Sequence, residues 1–544
     1  MPTTTSKQQS INTDPIQLEV FKHRFAAIAE EMGAVLRKAS YSPNIKERRD
    51  YSCALFDHDG QMIAQAAHIP VHLGSMPLSV QTAINDFPDL KPGDVIILNN
   101  PYRGGTHLPD ITLVSPVFIQ SSSTSESSPT FHPKPFGFVA SRAHHADVGG
   151  MSPGSMPIAT EIFQEGIIIP PIKLVNAGKV NQAAWDLILA NVRTSQERAG
   201  DLWAQIAANQ RGQQRLQELV SQHGAANVNH YMAAMLAYTE RMTRNLLDEI
   251  PDGEYSFSDY LDNDGIGDEP VLIAVKIEIL GDHAVVDFSS SASQQRGSIN
   301  AVYAITLSAV YYVFRCLIGL DVPNNAGCLA PITVIAPPGS VVNAQHPAPV
   351  AGGNVETSQR ITDVLLGALA NALPDKVPAA SQGTMNNITI GGFDQAFNTP
   401  FAYYETIGGG MGALPDRDGM SAIHSHMTNT LNTPAEAMEY AYPLRVLRYE
   451  IRRNSGGKGE FNGGDGIIRD VQVRTDAQVT LLTERRKRTP YGSDGGQPGS
   501  TGKNIIIRNG EEILLPGKGS FTLKSGDILS IQTPGGGGFG KQTA

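Results

Sequence analysis

Residues 103–114 read RGGTHLPDITLV, which puts His107 and Asp110 three apart in a loop of Gly and Pro. Pro109 between them rules out a shared helical face. Downstream, SRAHHADVGG (141–150) carries His144, His145 and Asp147. Two strand-like runs, 111–118 and 136–141, lie between these segments, joined by the Ser-, Thr- and Pro-rich stretch 119–135. Strands paired in this way bring their outer ends together, so the His-x-x-Asp faces the His-His. Upstream, KERRDYSCALFD starts another strand with an acid, Asp50, beside cations. Two imidazoles and one or two carboxylates on converging loops suit a borderline divalent ion: Zn²⁺, Mn²⁺ or Fe²⁺. An incomplete protein shell leaves a position for water, whose pKa such an ion brings toward neutrality. The alternative is that His144 and His145 are ordinary hydrogen-bonding loop residues, and the pattern alone leaves both readings open.

The elements that must position these residues follow from periodicity. Asp14-Pro15 reads as an N-cap and first-turn proline, and Phe21, Phe25, Ile28, Met32 and Val35 recur at helical spacing, predicting a long opening helix. From Tyr51 the pattern turns to short strands: CALFD and QMIAQ across the turn HDG, then DVIILNN and ITLVSPVF. Residues 183–250 read as helix, ending one segment at a glycine stop. Beyond 252, strands with Gly and Asp turns dominate, interrupted by helices around 302–319 and 357–373. The expected class is α+β: a mixed helix/strand metal-site region (14–182), a helical segment (183–250), a central α/β region (251–440) and a β-rich C-terminal region (441–544).

Composition narrows the partners. The 544 residues are 41% hydrophobic and 17% charged with a net charge of −11, as in a soluble globular protein and unlike a nucleic-acid binder. No apolar run reaches membrane-spanning length, and MPTTTSKQQSINTD lacks the apolar core of a secretion signal. Three cysteines, none closely paired, fit a reducing cytoplasm. The 54 glycines, without a collagen period, imply tight turns and close backbone approaches. DNDGIGDEP (262–270) fails as a calcium loop because Tyr260 and Val271 would occupy the first and last ligand positions. GGQPGSTGKN (495–504) misses P-loop spacing, has Asn504 where the magnesium-binding hydroxyl belongs, and reads as a hairpin. GGGMGALPDRDG (408–419) lacks the strand-to-helix context of a dinucleotide loop.

Four longer stretches carry a family resemblance: RKASYSPNIKERRDYSCALFDHDGQMIAQAAHIPVHLGSMPLSV, LNNPYRGGTHLPDITLVSPVF, FVASRAHHADVGG and MTNTLNTPAEAMEYAYPL. Together they resemble the hydantoinase B family, the B subunits of ATP-dependent hydantoinases, 5-oxoprolinases and lactamases, related to acetone and acetophenone carboxylase large subunits. The resemblance runs from Asp14 to about Gly540. It implies a metal site at His107, Asp110 and His144, with Asp50 completing the shell. The segment 120–135 resembles an insertion beyond the family's tight hairpin. The resemblance also implies that ATP-Mg binds a separate A-type subunit, in a heterotetramer of two A and two B chains. This chain would then hydrolyse a cyclic amide whose carbonyl has been phosphorylated. In that scheme His145 and Asp147 are the candidates for proton transfer, while His68 and His72 could line the cleft. IHSHMTNTLNTPAE offers His424, His426, Asn429 and Thr430 for substrate contact. Two alternatives accompany this reading: a subunit of an acetone/acetophenone-type carboxylase, less compatible with this chain length, and a non-catalytic scaffold for the A-type partner.

Overall fold

The opening helix forms as its sequence predicts. Asp14 accepts a hydrogen bond from the Ile16 amide at 3.0 Å, Pro15 occupies the first turn, and α1 runs Pro15–Ala39. It buries Phe21, Phe25, Ile28, Met32 and Leu36, each contributing roughly 1.5–3 kcal/mol by removal from water. A computed structural model describes residues 13–66, 69–120, 131–319 and 321–542. Among them the further helices are α2 (Pro43–Lys46), α3 (Ser75–Asp86), α4 (Gln182–Ala190), α5 (Ser195–His223), α6 (Ala225–Asp248), α7 (Tyr303–Ile318), α8 (Ser358–Leu369) and α9 (Ala435–Ala441). With four sheets, the class is α+β.

The sheet that matters for the site has seven strands: β1 (Tyr51–Phe56), β2 (Met62–Gln65), β3 (Val95–Leu98), β4 (Asp110–Val117), β5 (Gly137–His144), β6 (Ile172–Asn176) and β7 (Lys179–Val180). Their order is β2-β1-β5-β4-β3-β6-β7, and every pairing is antiparallel. Both faces of its centre are covered. Cys53, Leu55 and Val139 pack with α1 and α5, whereas Ala54, Phe56 and Phe138 pack with Met76, Val80 and Ala83 of α3. The period-two alternation of a strand makes this two-sided burial possible. On α5 a stripe of amides four residues apart faces β4. Gln205, Asn209, Gln213 and Gln217 donate to the carbonyls of Ile111, Leu113, Pro116 and Phe118 at 2.8–3.1 Å. Gln205 and Asn209 are buried and must find partners, and the stripe as a whole fixes the helix along the strand.

Three smaller sheets follow. Strands 253–261, 271–280, 283–287 and 332–335 form one, and strands 387–394, 399–405, 477–482 and 518–523 another. Strands 444–452, 466–473, 503–508, 511–515 and 528–532 form the last. Residues 262–270 are a turn, as expected: the Asp264 carboxylate accepts from the amides of Ile266 and Gly267. The segment 495–504 is not the hairpin its sequence suggests. Its end enters the strand 503–508, which pairs with 511–515 and 528–532, and Gly496 and Gly499 pack on the C-terminal backbone at Gly538 and Gly535 instead. Among the described residues no helix is long and apolar enough to cross a membrane.

Candidate metal centre

Sheet geometry assembles the cluster. β4 begins at Asp110 and β5 ends at His144, and these two residues are direct cross-strand partners. The next amide, that of His145, donates to the Pro109 carbonyl at 2.8 Å, closing the strand ends together. Asp50 immediately precedes β1, and its carbonyl accepts from the His144 amide at 3.0 Å. His107 reaches the same place from the turn before β4.

Three ligand-type atoms converge there. His107 Nε2 lies 3.0 Å from Asp110 Oδ1 and 3.2 Å from His144 Nδ1, and Asp110 Oδ1 lies 3.3 Å from His144 Nδ1. All three residues are buried, and they are the group among the described residues whose donors could share one ion. His107 Nδ1 faces the Ala351 carbonyl at 3.3 Å. A proton there leaves Nε2 as a lone pair aimed at the cluster, the arrangement that orients metal-ligating histidines. Two imidazole nitrogens and a carboxylate oxygen at these separations repel unless a proton or a cation sits among them. The donor set of two nitrogens and one oxygen suits a borderline divalent ion.

The outer oxygen of Asp110 has its own partners. Asp110 Oδ2 accepts from Thr106 Oγ1 at 2.7 Å and faces His72 Nε2 at 3.4 Å, while His72 Nδ1 meets Ser52 Oγ at 2.9 Å. Burial opposes ionisation of Asp110, but His107, His144 and His72 outweigh it and hold the carboxyl well below its usual range. Burial depresses the basicity of His72 and His144, with Asp110 opposing. Asp50 is not one of the three converging donors. It lines the same small cavity, its pKa raised by burial against the pull of His144 and of Arg48, whose guanidinium is 3.9 Å away. Tyr404 stacks on the His144 ring at 4.2 Å between centroids, and Arg48 lies over the Tyr404 ring at 4.8 Å.

Sequence reasoning missed Asn354. Its Nδ2 sits 3.1 Å from His107 Nε2 and 3.4 Å from Asp110 Oδ2. It comes from a π-turn, Gly353–Thr357, that leads into α8, a distortion that recurs at functional sites. A Cβ at Gly353 would meet the Asn300 carbonyl oxygen at 1.8 Å, so glycine is what lets this turn approach. No motif marks it; the glycine pair before Asn354 is the only signal.

Other expected residues lie elsewhere. His145 turns away, its Nε2 2.9 Å from Gln205 Oε1 of α5, and burial first, then Arg198, pushes its pKa down to about 4. Asp147 accepts from the amides of Gly149, Gly154 and Arg193 and pairs with the Arg193 guanidinium at 3.0 Å, which makes it the clamp of its loop. The structure thus does not bring these two expected proton carriers to the cluster, because the chain leaves the sheet after His144 and successive side chains diverge. Of the 424–430 loop, Thr430 lines the cavity with Asp50, bonded to Thr406 Oγ1 at 2.8 Å. His424 Nδ1 meets Thr428 at 3.5 Å and His426 Nδ1 meets Tyr312 at 3.4 Å. Asn429 faces a separate cleft. His68 lies outside the described residues.

Comparison with known proteins adds further findings. The Hydantoinase B/oxoprolinase family matches residues 14–542. Arabidopsis thaliana 5-oxoprolinase 1 is 41% identical over 99% of this chain, which spans 43% of the plant protein's length. A D-/L-hydantoinase B component, so named in Pseudomonas sp. (strain NS671), is 33% identical, over 97% of this chain and 90% of its own length. The solved structure of an ATP-dependent caprolactamase from Pseudomonas jessenii superposes with a TM-score of 0.88 at 29% identity, over 97% of this chain and 92% of the other.

Proposed function

The chain belongs to the hydantoinase B/oxoprolinase family, and from that premise we propose that it is the metal-dependent subunit of an ATP-dependent cyclic amidase. The observation that carries this reading is the convergence of His107 Nε2, Asp110 Oδ1 and His144 Nδ1 within 3.0–3.3 Å of one another, all buried. The substrate class is a 5-oxoproline, hydantoin or lactam ring. Such a carbonyl is a poor electrophile because the ring nitrogen donates into it, and ATP-dependent phosphorylation of its oxygen on an A-type partner removes that protection. We assign the partner complex two A and two B chains, since two-fold closure is the commonest symmetry.

His107, Asp110 and His144 would hold the ion, with Asp50 as a further oxygen donor across the cavity. Bound there, a divalent ion such as Zn²⁺, Mn²⁺ or Fe²⁺ supplies Lewis acidity, making water nucleophilic near neutral pH and offsetting developing negative charge. Thr106 and His72 fix the outer Asp110 oxygen, leaving the inner one for the ion. Ala351 sets the His107 tautomer, and Tyr404 sets the plane of the His144 ring. Thr428 and Thr430 line the same small cavity, their hydroxyls 3.4 Å apart.

Metal analysis of the purified chain tests this directly. We expect close to one divalent transition ion per chain, lost in His107→Ala and Asp110→Ala while circular dichroism is unchanged. Co-expressed with an A-type partner, those variants should still turn over ATP but release little ring-opened product. Wild-type ring opening by a metal-free variant would overturn the assignment and favour a scaffold.

A further inference from the structure

The cavity at the cluster is small, with a volume of about 20 Å³. That holds about one water molecule and excludes any organic ring. Beside it lies a larger cleft of about 350 Å³, within the size range of small-molecule sites. The partition between them is one residue thick. Asp50 faces the cavity while Arg49 and Tyr51 face the cleft, and Thr428 and Thr430 face the cavity while Asn429 and Leu431 face the cleft. A backbone bond from the Leu431 amide to the Arg48 carbonyl, 3.0 Å, holds the two segments of the partition together.

The cleft is cationic. Arg37 and Lys38 enter from the last turn of α1 and Arg49 from the partition, against one carboxylate, Glu30. Cations in a last helical turn offset the helix dipole wherever they point. Arg49 belongs to no helix, and its φ of +59° is a conformation that residues other than glycine rarely adopt. That bend sends consecutive side chains to opposite sides, Arg49 into the cleft and Asp50 into the cavity.

We infer that the cleft of Arg37, Lys38 and Arg49 is a phosphoryl-binding site, the outer half of one substrate site whose inner half is the metal cavity. The inference deepens the function proposed above and rests on it for the identity of the occupant: a small carbonyl compound bearing a phosphoryl group. A phosphoryl group carries close to two negative charges at neutral pH, and three cations lining one cleft match it. The partition between the segments 49–51 and 428–431 is where the two halves communicate. Opening residues 428–431 brings the reacting carbon to the cluster while the phosphoryl group stays on the cations.

Inorganic phosphate titrated into the full chain and followed by ³¹P NMR tests the site without requiring metal or partner. Wild type should bind saturably, Arg37→Gln/Arg49→Gln should bind at least tenfold more weakly, and Arg49→Lys should keep most of the affinity. Arg417→Gln, an exposed cation elsewhere, controls for net charge. No saturable binding, or equal binding by the double variant with an unchanged melting temperature, overturns the proposal. In the co-expressed complex the double variant should keep ATP turnover and lose ring-opened product per ATP. An unchanged product-to-ATP ratio also overturns it. The metal assignment fails by a different route: if His107→Ala keeps its metal while phosphate binding still depends on Arg37 and Arg49, the cleft stands and the centre does not.

Discussion

The histidine–aspartate cluster and the glycine-rich C-terminal region solve opposite packing problems. At the cluster, side chains are everything: four elements meet so that particular nitrogen and oxygen atoms converge. In the glycine region, side chains are excluded. Residues 408–412, 456–464, 492–499 and 535–540 come from four separate stretches and pack backbone on backbone. Gly464 donates to the Met411 carbonyl, Gly536 to Gly464, Gly457 to Gly536 and Gly538 to Gln497, at 2.8–2.9 Å. A Cβ at Gly464 would sit 1.9 Å from the Met420 oxygen, and one at Gly536 2.0 Å from the Met411 oxygen. Neither residue has a positive φ. Space, and not conformational freedom, demands glycine there. One region is built by converging side chains, and the other by backbones that only glycines let meet.

That contrast can be broken experimentally. The largest effect should come from Gly464→Ala or Gly536→Ala, since the added methyl overlaps backbone that cannot move aside. We expect about 3 kcal/mol of destabilisation or more, read by chemical denaturation, with any folded fraction keeping its metal. A loss under about 0.5 kcal/mol would show that the bundle yields.

His72→Phe sharpens the other side of the comparison. It removes the imidazole facing Asp110 Oδ2 while filling similar volume. Metal affinity should fall roughly 10–100-fold with little change in melting temperature, measured by competition with a chelator. Unaltered affinity would make His72 a packing residue only.

Acid should weaken the fold through buried histidines outside the cluster. Burial takes His145, His424 and His426 down to about 4 from an ordinary 6.5. Between those values the unfolded chain binds protons that the native chain refuses, so stability falls as pH drops from 6.5 toward 4. In His145→Gln that slope should flatten by up to about 3 kcal/mol across the window, followed as melting temperature against pH. An identical slope would mean that His145 titrates in the fold as it does in the unfolded chain, and would sink this reading.

The smallest effect is expected from deleting 121–130. The flanking residues Gln120 and Phe131 already form a bridge, and a Ser/Thr-rich composition adds no core. Metal content should stay at the wild-type level, and its loss would implicate the segment in the centre.

The sequence by itself determined the local elements and the ends of one hairpin. Asp14-Pro15 starts α1, and the runs after Asp110 and before His144 become β4 and β5, because capping, periodicity and strand alternation act over a few residues. Antiparallel pairing brings the His-x-x-Asp beside the His-His, while the family resemblance singled out His144 and the structure sets the register that puts it opposite Asp110. Asn354, far along the chain from His144, was not legible, nor was the cleft behind Asp50. His145 and Asp147 looked equivalent to His144 in sequence, yet the chain leaves the sheet between them and turns both away. The glycines announced close approach without saying to what. Such contacts join stretches that no local rule relates. Tertiary structure decides them, because only the packing of whole sheets and helices sets which backbone crowds a missing Cβ and which amide reaches a histidine.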